Sequence, residues 1–350
     1  IGLVGSEMCI RDRNNMSTIQ DYKLLTIIIP TYNRCREVKE NIEITLPQIL
    51  EHKDKVRLYI SDNASTDDTE KMIEKYTDQY PDLVFYYRQP KNITASPNFN
   101  HAVHAVNSDY VHILGDDDLL MPFTISVFLD LIEKNPQIGV FHFNYILGIN
   151  DLEKCCLLYP QIGTSMMKYY PSGKEFIYDK LSGPSFISSS LIKREVWLYG
   201  SQFTKEDCAG YVWLSTMYFG CLEYPCMTYE VPLLIQRCPK AAPYAKNWPL
   251  YHVFGISQLF WYLDEYIKGV YQHWMDIQQG KYKYRTWQTI LSCSKEKEFY
   301  KRNKDRMLRH LQGMDSKFIF KASIMYLPTW VNIKLIIPIC RVWSFVKSRL

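Results

Sequence analysis

Leu24-Leu25-Thr26-Ile27-Ile28-Ile29-Pro30 is an apolar, β-branched run, and Thr31-Tyr32-Asn33-Arg34 follows it without a spacer. A short run with no polar alternation reads as a strand buried on both faces, the habit of strands in parallel sheets. The pattern then alternates along the chain. A helical stretch covers 37–51, a second strand 56–60, and a helix 67–80 with Met72, Ile73 and Tyr76 on one face. A third strand covers 83–87, a helix 98–106 and a fourth strand 110–114. Strand–helix alternation with short connections predicts an α/β fold, a mostly parallel sheet with helices on both faces.

Open sheets of this kind bind ligands beyond the carboxyl ends of their strands. Polar clusters fall at three of those ends: Thr31 to Arg34, then Ser61 to Asp68 (SDNASTDD), then Gly115-Asp116-Asp117-Asp118. Together they predict one site. Three adjacent carboxylates repel one another, and a cation is what makes such a cluster tolerable. Mg²⁺ and Mn²⁺ take oxygen ligands, Mg²⁺ typically one or two carboxylates plus phosphate oxygens and water. An acidic cap on the following helix is the alternative, but it accounts for one aspartate rather than three.

Asp62 is placed to accept hydrogen bonds from a nucleobase or ribose edge, whereas Ser65 to Asp68 read as caps of the next helix. Tyr32 is either a ring that stacks on a base or ordinary packing. The sequence has no GxGxxG and no GxxxxGK[ST], which removes the dinucleotide and P-loop readings. His101 and His104 lack an HExxH frame, and with His112 they read as packed or surface histidines.

The 350 residues are 47% hydrophobic and 15% aromatic, enough for one large or two modest domains and too apolar for a disordered chain. With 41 Lys+Arg against 37 Asp+Glu, the net charge of +4 is too even for a nucleic-acid binder. Ten cysteines without a CxxC fit neither a disulfide scaffold nor a zinc module, so reduced thiols in a cytoplasmic protein are expected. Residues 1–15 have no signal-peptide layout and read as a non-native or disordered leader, with Met16 as a natural start. The nearest approach to a membrane-spanning run is 326–350, which Lys334, Pro338 and Arg341 interrupt and Trp330 and Trp343 flank. It reads as a helix in the headgroup region, helped by the basic stretch from Lys295 to Arg309, or as a terminal helix packed on the protein's own core.

Ile27 to Arg34, Tyr59 to Asp67 and Asp109 to Pro122, in that order and spacing, resemble the family 2 glycosyltransferases of the GT-A fold, over about residues 22–240. Gly115-Asp116-Asp117-Asp118, with Asn98-Phe99 upstream and Gly183 to Ser190 (GPSFISSS) downstream, is most similar to the abequosyltransferase-like branch, which builds bacterial surface polysaccharides. The resemblance implies a nucleotide-sugar donor and a divalent cation, Mn²⁺ or Mg²⁺. Carried over by motif, Pro30, Thr31 and Tyr32 line the base pocket and Asp62 binds the base or ribose. Asp116 faces the ribose–diphosphate region and Asp117 holds the metal, with Asp118 as a second metal carboxylate. The family's acidic motif often begins one place earlier, where this chain has Gly115.

The family also places an acceptor-side base in a later acidic pair, matched here by Asp207 first and Glu206 second. A charged surface loop is the other reading of that pair. Arg237 either reaches the diphosphate or solvates the surface. Single displacement implies inversion, and the implied acceptor is a saccharide or lipid-linked saccharide. A peripheral position on the cytoplasmic face of the inner membrane and no nucleic-acid partner complete the expectation. The expected layout is the leader, a GT-A domain over 16–240 and a helical C-terminal region over 241–350. Two other functions compete: a sugar-nucleotide-forming nucleotidyltransferase, and a non-catalytic, membrane-associated protein that binds nucleotide sugars. Residues 30–36 (PTYNRCR) lack the glycines that a nucleotidyltransferase carries after its first strand.

Overall fold

The computed structural model describes residues 19, 21–149, 152, 154–157, 166–206, 208, 210–238 and 255–282. The chain divides into two compact units, Ile1–Thr204 with Thr216–Lys240, and Lys205–Ser215 with Ala241–Leu350.

The first unit is built around β1 (Lys23–Thr31), whose residues from Leu25 to Thr31 are all buried. It pairs in parallel with β2 (Val56–Asp62) on one side, and β3 (Val84–Arg88) continues beyond β2, also parallel. On its other side β1 pairs in parallel with β4 (Ser108–Ile113). The helices of the alternation are α1 (Cys35–Leu50), α2 (Thr69–Gln79), α3 (Ala95–Ala105) and α4 (Thr124–Lys134).

Side chains alternate along a strand, so each face of the sheet collects every second residue. Leu25, Ile27 and Ile29 of β1 join Val56, Leu58 and Ile60 of β2 in one apolar cluster with Val38, Ile42, Leu46 and Ile49 of α1, Met72 and Ile73 of α2, and Phe128 and Ile132 of α4. The i, i+3, i+4 spacing of those helical positions is what lays α1 on the sheet. Each such side chain taken from water contributes roughly 1.5–3 kcal/mol. On the opposite face α3 is tied down by polar bonds: Asn98 Nδ2 donates to the Ser61 carbonyl (2.9 Å) and Ser61 Oγ donates to Asn98 Oδ1 (2.8 Å).

Past β4 the sheet departs from simple alternation. The remaining strands are β5 (Leu119–Leu120), β6 (Val140–Ile149), β7 (Lys154–Leu157), β8 (Met167–Tyr170), β9 (Ser190–Lys193) and β10 (Cys226–Cys238); the sheet runs β3-β2-β1-β4-β9-β6-β10-β5, with β7 paired to β6 and β8 to β10. The four-residue β9 runs antiparallel to both β4 and β6, while β6 and β10 are parallel. Helices α5 (Gly173–Lys180), α6 (Arg194–Gly200) and α7 (Val212–Cys221) lie between these strands in the chain. The sheet is thus parallel where the polar clusters end it and mixed beyond.

In the second unit α8 spans Ile256–Leu263 and α9 begins at Val270 and runs to Tyr282, with 251–254 outside the described residues. Gly269, at φ +82, supplies the left-handed turn that separates the two. Trp274 Nε1 donates to Ser257 Oγ (2.8 Å) and its ring lies 5.0 Å from that of Phe260, which pins α9 on α8. Among the described residues no helix is long and apolar enough to cross a membrane, and none of the described cysteines forms a disulfide. The leader at 1–15 and the stretches 295–309 and 326–350 lie outside the described residues.

Candidate active site

Register brings the first two polar clusters level, because Thr31 at the end of β1 stands beside Asp62 at the end of β2. The chain leaves both strands through left-handed residues, Asn33 (φ 54) and Ala64 (φ 66). Asparagine tolerates that region, whereas alanine in it is strained and persists only where surrounding bonds impose it. Here they do. Asn33 Oδ1 accepts from the Thr66 amide (2.7 Å), the Asn33 amide donates to Ser65 Oγ (2.9 Å), and the Asn63 amide donates to the Thr31 carbonyl (2.8 Å).

Asp62 has no exposed surface, and its carboxylate is satisfied by neutral groups. Oδ1 accepts from the Ser65 amide (2.8 Å) and Ser65 Oγ (2.6 Å), and Oδ2 from the Tyr86 hydroxyl (2.7 Å). Burial, then the bond to Asp62, push the Tyr86 hydroxyl far above the usual tyrosine range. Arg88 Nε stands 3.9 Å from Asp62 Oδ2. Asn63 Oδ1 accepts from the Ile93 amide (2.8 Å), which docks the loop after β3 beside Asp62. Pro30 is buried within β1, while the Tyr32 ring stands 43% exposed at the rim.

Gly115 to Asp118 form a tight turn, closed by the Asp118 amide on the Gly115 carbonyl (3.0 Å). Asn41 of α1 is fully buried and donates from Nδ2 to the Gly115 (3.0 Å) and Asp118 (2.9 Å) carbonyls. Asp118, read from the sequence as a second metal carboxylate, is turned into the protein. Ser188 Oγ donates to its Oδ2 (2.6 Å), and the Arg237 amide donates to its Oδ1 (3.3 Å). That inward carboxylate explains the glycine: a Cβ on residue 115 would sit 2.4 Å from Asp118 Oδ2. An aspartate at this place would collide with the carboxylate that shapes the turn.

Asp116 and Asp117 face the other clusters. Thr31 Oγ1 donates to Asp116 Oδ2 (2.9 Å), which joins the ends of β1 and β4. Arg34 Nη1 lies 3.4 Å from Asp116 Oδ1 and is hydrogen bonded to Asp117 Oδ2. Arg237 neither solvates the surface nor stands free: its side chain is 6% exposed, Nη2 pairs with Glu40 (2.9 Å), and Nε donates to the Asp117 carbonyl (3.1 Å).

Burial pushes Asp116 up to about 7, with Arg34 working against the rise and Asp117 adding to it. Burial, then Asp117, push Asp118 up to about 8 against the bonds from Ser188 and the Arg237 amide. Burial opposes the Arg34 charge, but Asp116 and Asp117 outweigh it and hold its pKa above the usual guanidinium value.

The donor set suits a hard cation. Two carboxylates from adjacent residues already converge on one guanidinium group, and oxygen donors of this type are what Mg²⁺ and Mn²⁺ take. Among the described residues no three His, Cys, Asp or Glu side chains are grouped as a complete ligand set. The remaining positions would fall to phosphate oxygens and water.

Of the residues singled out in the sequence, Pro30, Thr31, Asp62, Asp116 and Asp117 lie at the ends of β1, β2 and β4, with Tyr32 beside them and Asp118 beneath. Glu206 is an exposed turn residue of the second unit, and Asp207 lies outside the described residues. His101 stacks on Tyr87 (4.6 Å) and His112 is buried with Nδ1 on the Ser190 carbonyl (3.2 Å), both as packing. Sequence reasoning placed Arg34 in the first polar cluster without a role of its own, and it missed Asn41, Tyr86 and Ser188 as parts of the site.

Residues 26–179 match the family model for glycosyl transferase family 2. Among curated relatives, the abequosyltransferase RfbV of Salmonella typhimurium is 34% identical over 115 residues, 33% of this chain and 34% of that protein. Chondroitin synthase of Escherichia coli is 26% identical over 125 residues, 36% of this chain and 18% of the enzyme. The chain thus matches about a third of the length of the first of these relatives and less than a fifth of the second. Among solved structures, S. aureus TarS 1-349 superposes with a TM-score of 0.55 at 14% identity, over 87% of this chain and 89% of that one. Mannosyltransferase PcManGT from Pyrobaculum calidifontis, solved with GDP-Man and Mn²⁺, gives 0.51 at 14% identity, over 94% and 85%. At such identity the superpositions speak for the fold alone. The family match thus falls on the very strands that lead to Thr31, Asp62 and Asp116, and the superpositions give the chain a GT-A fold.

Proposed function

We propose that the chain transfers a sugar from a nucleoside-diphosphate donor to a hydroxyl of a saccharide acceptor, with Mn²⁺ or Mg²⁺ at the diphosphate. The observation that carries this reading is the 2.9 Å bond from Thr31 to Asp116. It sets a buried acceptor for a base or ribose, Asp62, next to a pair of carboxylates suited to a cation. A nucleotide with two phosphates has that same succession of groups.

Pro30, Thr31 and Tyr32 line the base side, with Tyr32 as the stacking ring. Asp62 accepts from the base or ribose, held rigid by Ser65 and Tyr86. Asp116 faces the ribose–diphosphate region, and Asp117 with it would hold the cation. Asp118 is assigned here to shaping the turn, since Ser188 and the Arg237 amide already engage its carboxylate. A divalent cation bound there would stabilise the charge that develops on the departing diphosphate. On the acceptor side a carboxylate takes the hydroxyl proton during in-line attack, which inverts the anomeric centre. Asp207, with Glu206 second, is the choice for that base.

Support for a nucleotide-sugar donor comes from the neighbours solved with UDP-GlcNAc and with GDP-Man and Mn²⁺. Support for a surface-polysaccharide role comes from the similarity to an abequosyltransferase. A lipid-linked acceptor and a peripheral position on the cytoplasmic membrane face fit the aromatic and basic character of 326–350. The domain reading follows: catalytic residues within 16–240 and a helical C-terminal region over 241–350. The test is a thermal-shift and hydrolysis screen of UDP-, GDP-, CDP- and dTDP-sugars, each with Mn²⁺ and with EDTA. One nucleotide class should raise the melting point and be hydrolysed only with the cation. Pyrophosphate release from a nucleoside triphosphate and a sugar phosphate would instead identify a nucleotidyltransferase.

A further inference from the structure

Arg34 touches both carboxylates that the proposed reaction gives to the cation. Its Nη1 is hydrogen bonded to Asp117 Oδ2 and lies 3.4 Å from Asp116 Oδ1. A divalent cation on those oxygens and a guanidinium group in the same place repel each other, so one must leave. Arg237, the other arginine of the turn, is 6% exposed and anchored at Glu40 and the Asp117 carbonyl. Arg34 is different. Its side chain is 34% exposed and follows the left-handed Asn33 in the short loop between β1 and α1. Without it Asp116 and Asp117 would face each other uncompensated in a largely buried pocket, which a fold pays heavily to keep.

We propose that Arg34 is a built-in counter-cation: it neutralises Asp116 and Asp117 until a nucleoside diphosphate arrives, then moves to the diphosphate and yields the carboxylates to the divalent cation. This rests on the glycosyltransferase reading and deepens it. The guanidinium fork suits both partners, since carboxylate and phosphate oxygens accept its paired N–H groups alike. The exchange makes nucleotide and cation help each other bind, and by linkage the help is reciprocal. Arg34 is therefore a positioning residue whose removal has opposite effects on its two ligands: the cation alone gains and the nucleotide loses.

The test is Mn²⁺ binding to the full chain, read from the EPR signal of free Mn²⁺, alone and with UDP, GDP, CDP or dTDP, for the wild type, Arg34→Gln and Arg34→Lys. Arg34→Gln is expected to bind Mn²⁺ alone about tenfold more tightly than the wild type, a typical coupling factor, and to lose most of the gain that nucleotide brings. Arg34→Lys keeps the charge without the fork and should fall between the two. It also carries the test should the glutamine variant fail to fold, as judged by circular dichroism. Mn²⁺ affinity in either variant equal to or weaker than in the wild type would overturn the proposal while the wild type still binds Mn²⁺ with nucleotide. A wild type that binds no Mn²⁺ with any of the four nucleotides would overturn the glycosyltransferase reading and this inference together.

Discussion

Asp62, at the end of β2, and Asp118, in the turn that follows β4, are both buried carboxylates, yet their surroundings solve the burial differently. Asp62 is hydrogen bonded by an amide, a serine hydroxyl and a tyrosine hydroxyl, with the Arg88 guanidinium 3.9 Å away and no second acid beside it in the chain. Asp118 is one of three consecutive acids, and burial with Asp117 beside it pushes it up to about 8. The first arrangement makes a fixed acceptor that keeps its geometry whether or not a ligand is present. The second makes a place where positive charge is wanted, met in part by Arg34 at Asp116 and Asp117. A ligand that brings its own cation binds such a place, and a fixed acceptor orients that ligand. The contrast separates recognition, at β2, from chemistry, at β4.

The largest effect should come from the chemical half. Asp117→Asn is expected to lower transfer and donor hydrolysis by about a thousandfold or more, in line with losing a charge-stabilising group. Its melting point should equal or exceed the wild type's, because the carboxylate that repels both Asp116 and Asp118 is gone. A strongly lowered melting point would put Asp117 with Asp118 as part of the scaffold and blur the contrast. On the recognition half, Asp62→Ala should weaken donor binding by roughly 1.5–3 kcal/mol, about 10- to 150-fold, while the turnover of bound donor changes little. Calorimetric titration with the donor's nucleoside diphosphate measures it. An Asp62 variant that loses turnover rather than affinity would reverse the assignment.

The two carboxylate settings also predict a pH signature. A carboxyl group whose folded pKa lies above its unfolded one contributes stability that is complete below the unfolded value and lost as pH rises through the folded value. For Asp116 and Asp118 that loss runs from about 4, the unfolded carboxylate value, to about 7 and about 8. In EDTA the melting point of the wild type should fall over this window, and Asp118→Asn should flatten the fall. An unchanged slope would show that Asp118 titrates as an ordinary surface acid. The smallest effect belongs to the tyrosine that supports Asp62. Tyr86→Phe removes one of the hydrogen bonds to Asp62 while the two from Ser65 remain, and should cost donor affinity about 0.5–1.5 kcal/mol. Comparing it with Asp62→Ala in the same titration gives the share carried by the tyrosine.

The strands and helices from β1 to β4 were legible because each is a single local pattern: a β-branched run, then an amphipathic stretch, then a polar end. The mixed half of the sheet was not. β9 is only Ser190 to Lys193, and nothing local in Ser-Leu-Ile-Lys announces that it pairs antiparallel with two strands at once. The candidate site divides the same way. Thr31, Asp62 and the aspartates stand out as polar residues where apolar runs stop. Tyr86 does not, because an aromatic residue in Val-Phe-Tyr-Tyr-Arg looks like strand packing until its hydroxyl is seen on Asp62. Ser188 is far along the chain and reaches Asp118 only through the fold. Which of three neighbouring aspartates turns inward is likewise decided by tertiary bonds, although Gly115 was a local sign, since only a residue without Cβ leaves room for the Asp118 carboxylate. Arg34 stood in plain view within Pro-Thr-Tyr-Asn-Arg, and its meaning came only when the end of β4 was brought beside it.

The most direct measurement is calorimetric titration of the wild type and Asp117→Asn with the nucleoside diphosphate found in the donor screen, each with Mn²⁺ and with EDTA. The wild type is expected to bind at least about tenfold more tightly with Mn²⁺ than in EDTA, and Asp117→Asn to bind weakly and alike in both, as for two coupled ligands. Equal affinity in all four titrations would contradict it, because the carboxylates at the end of β4 would then hold no cation for the diphosphate to share.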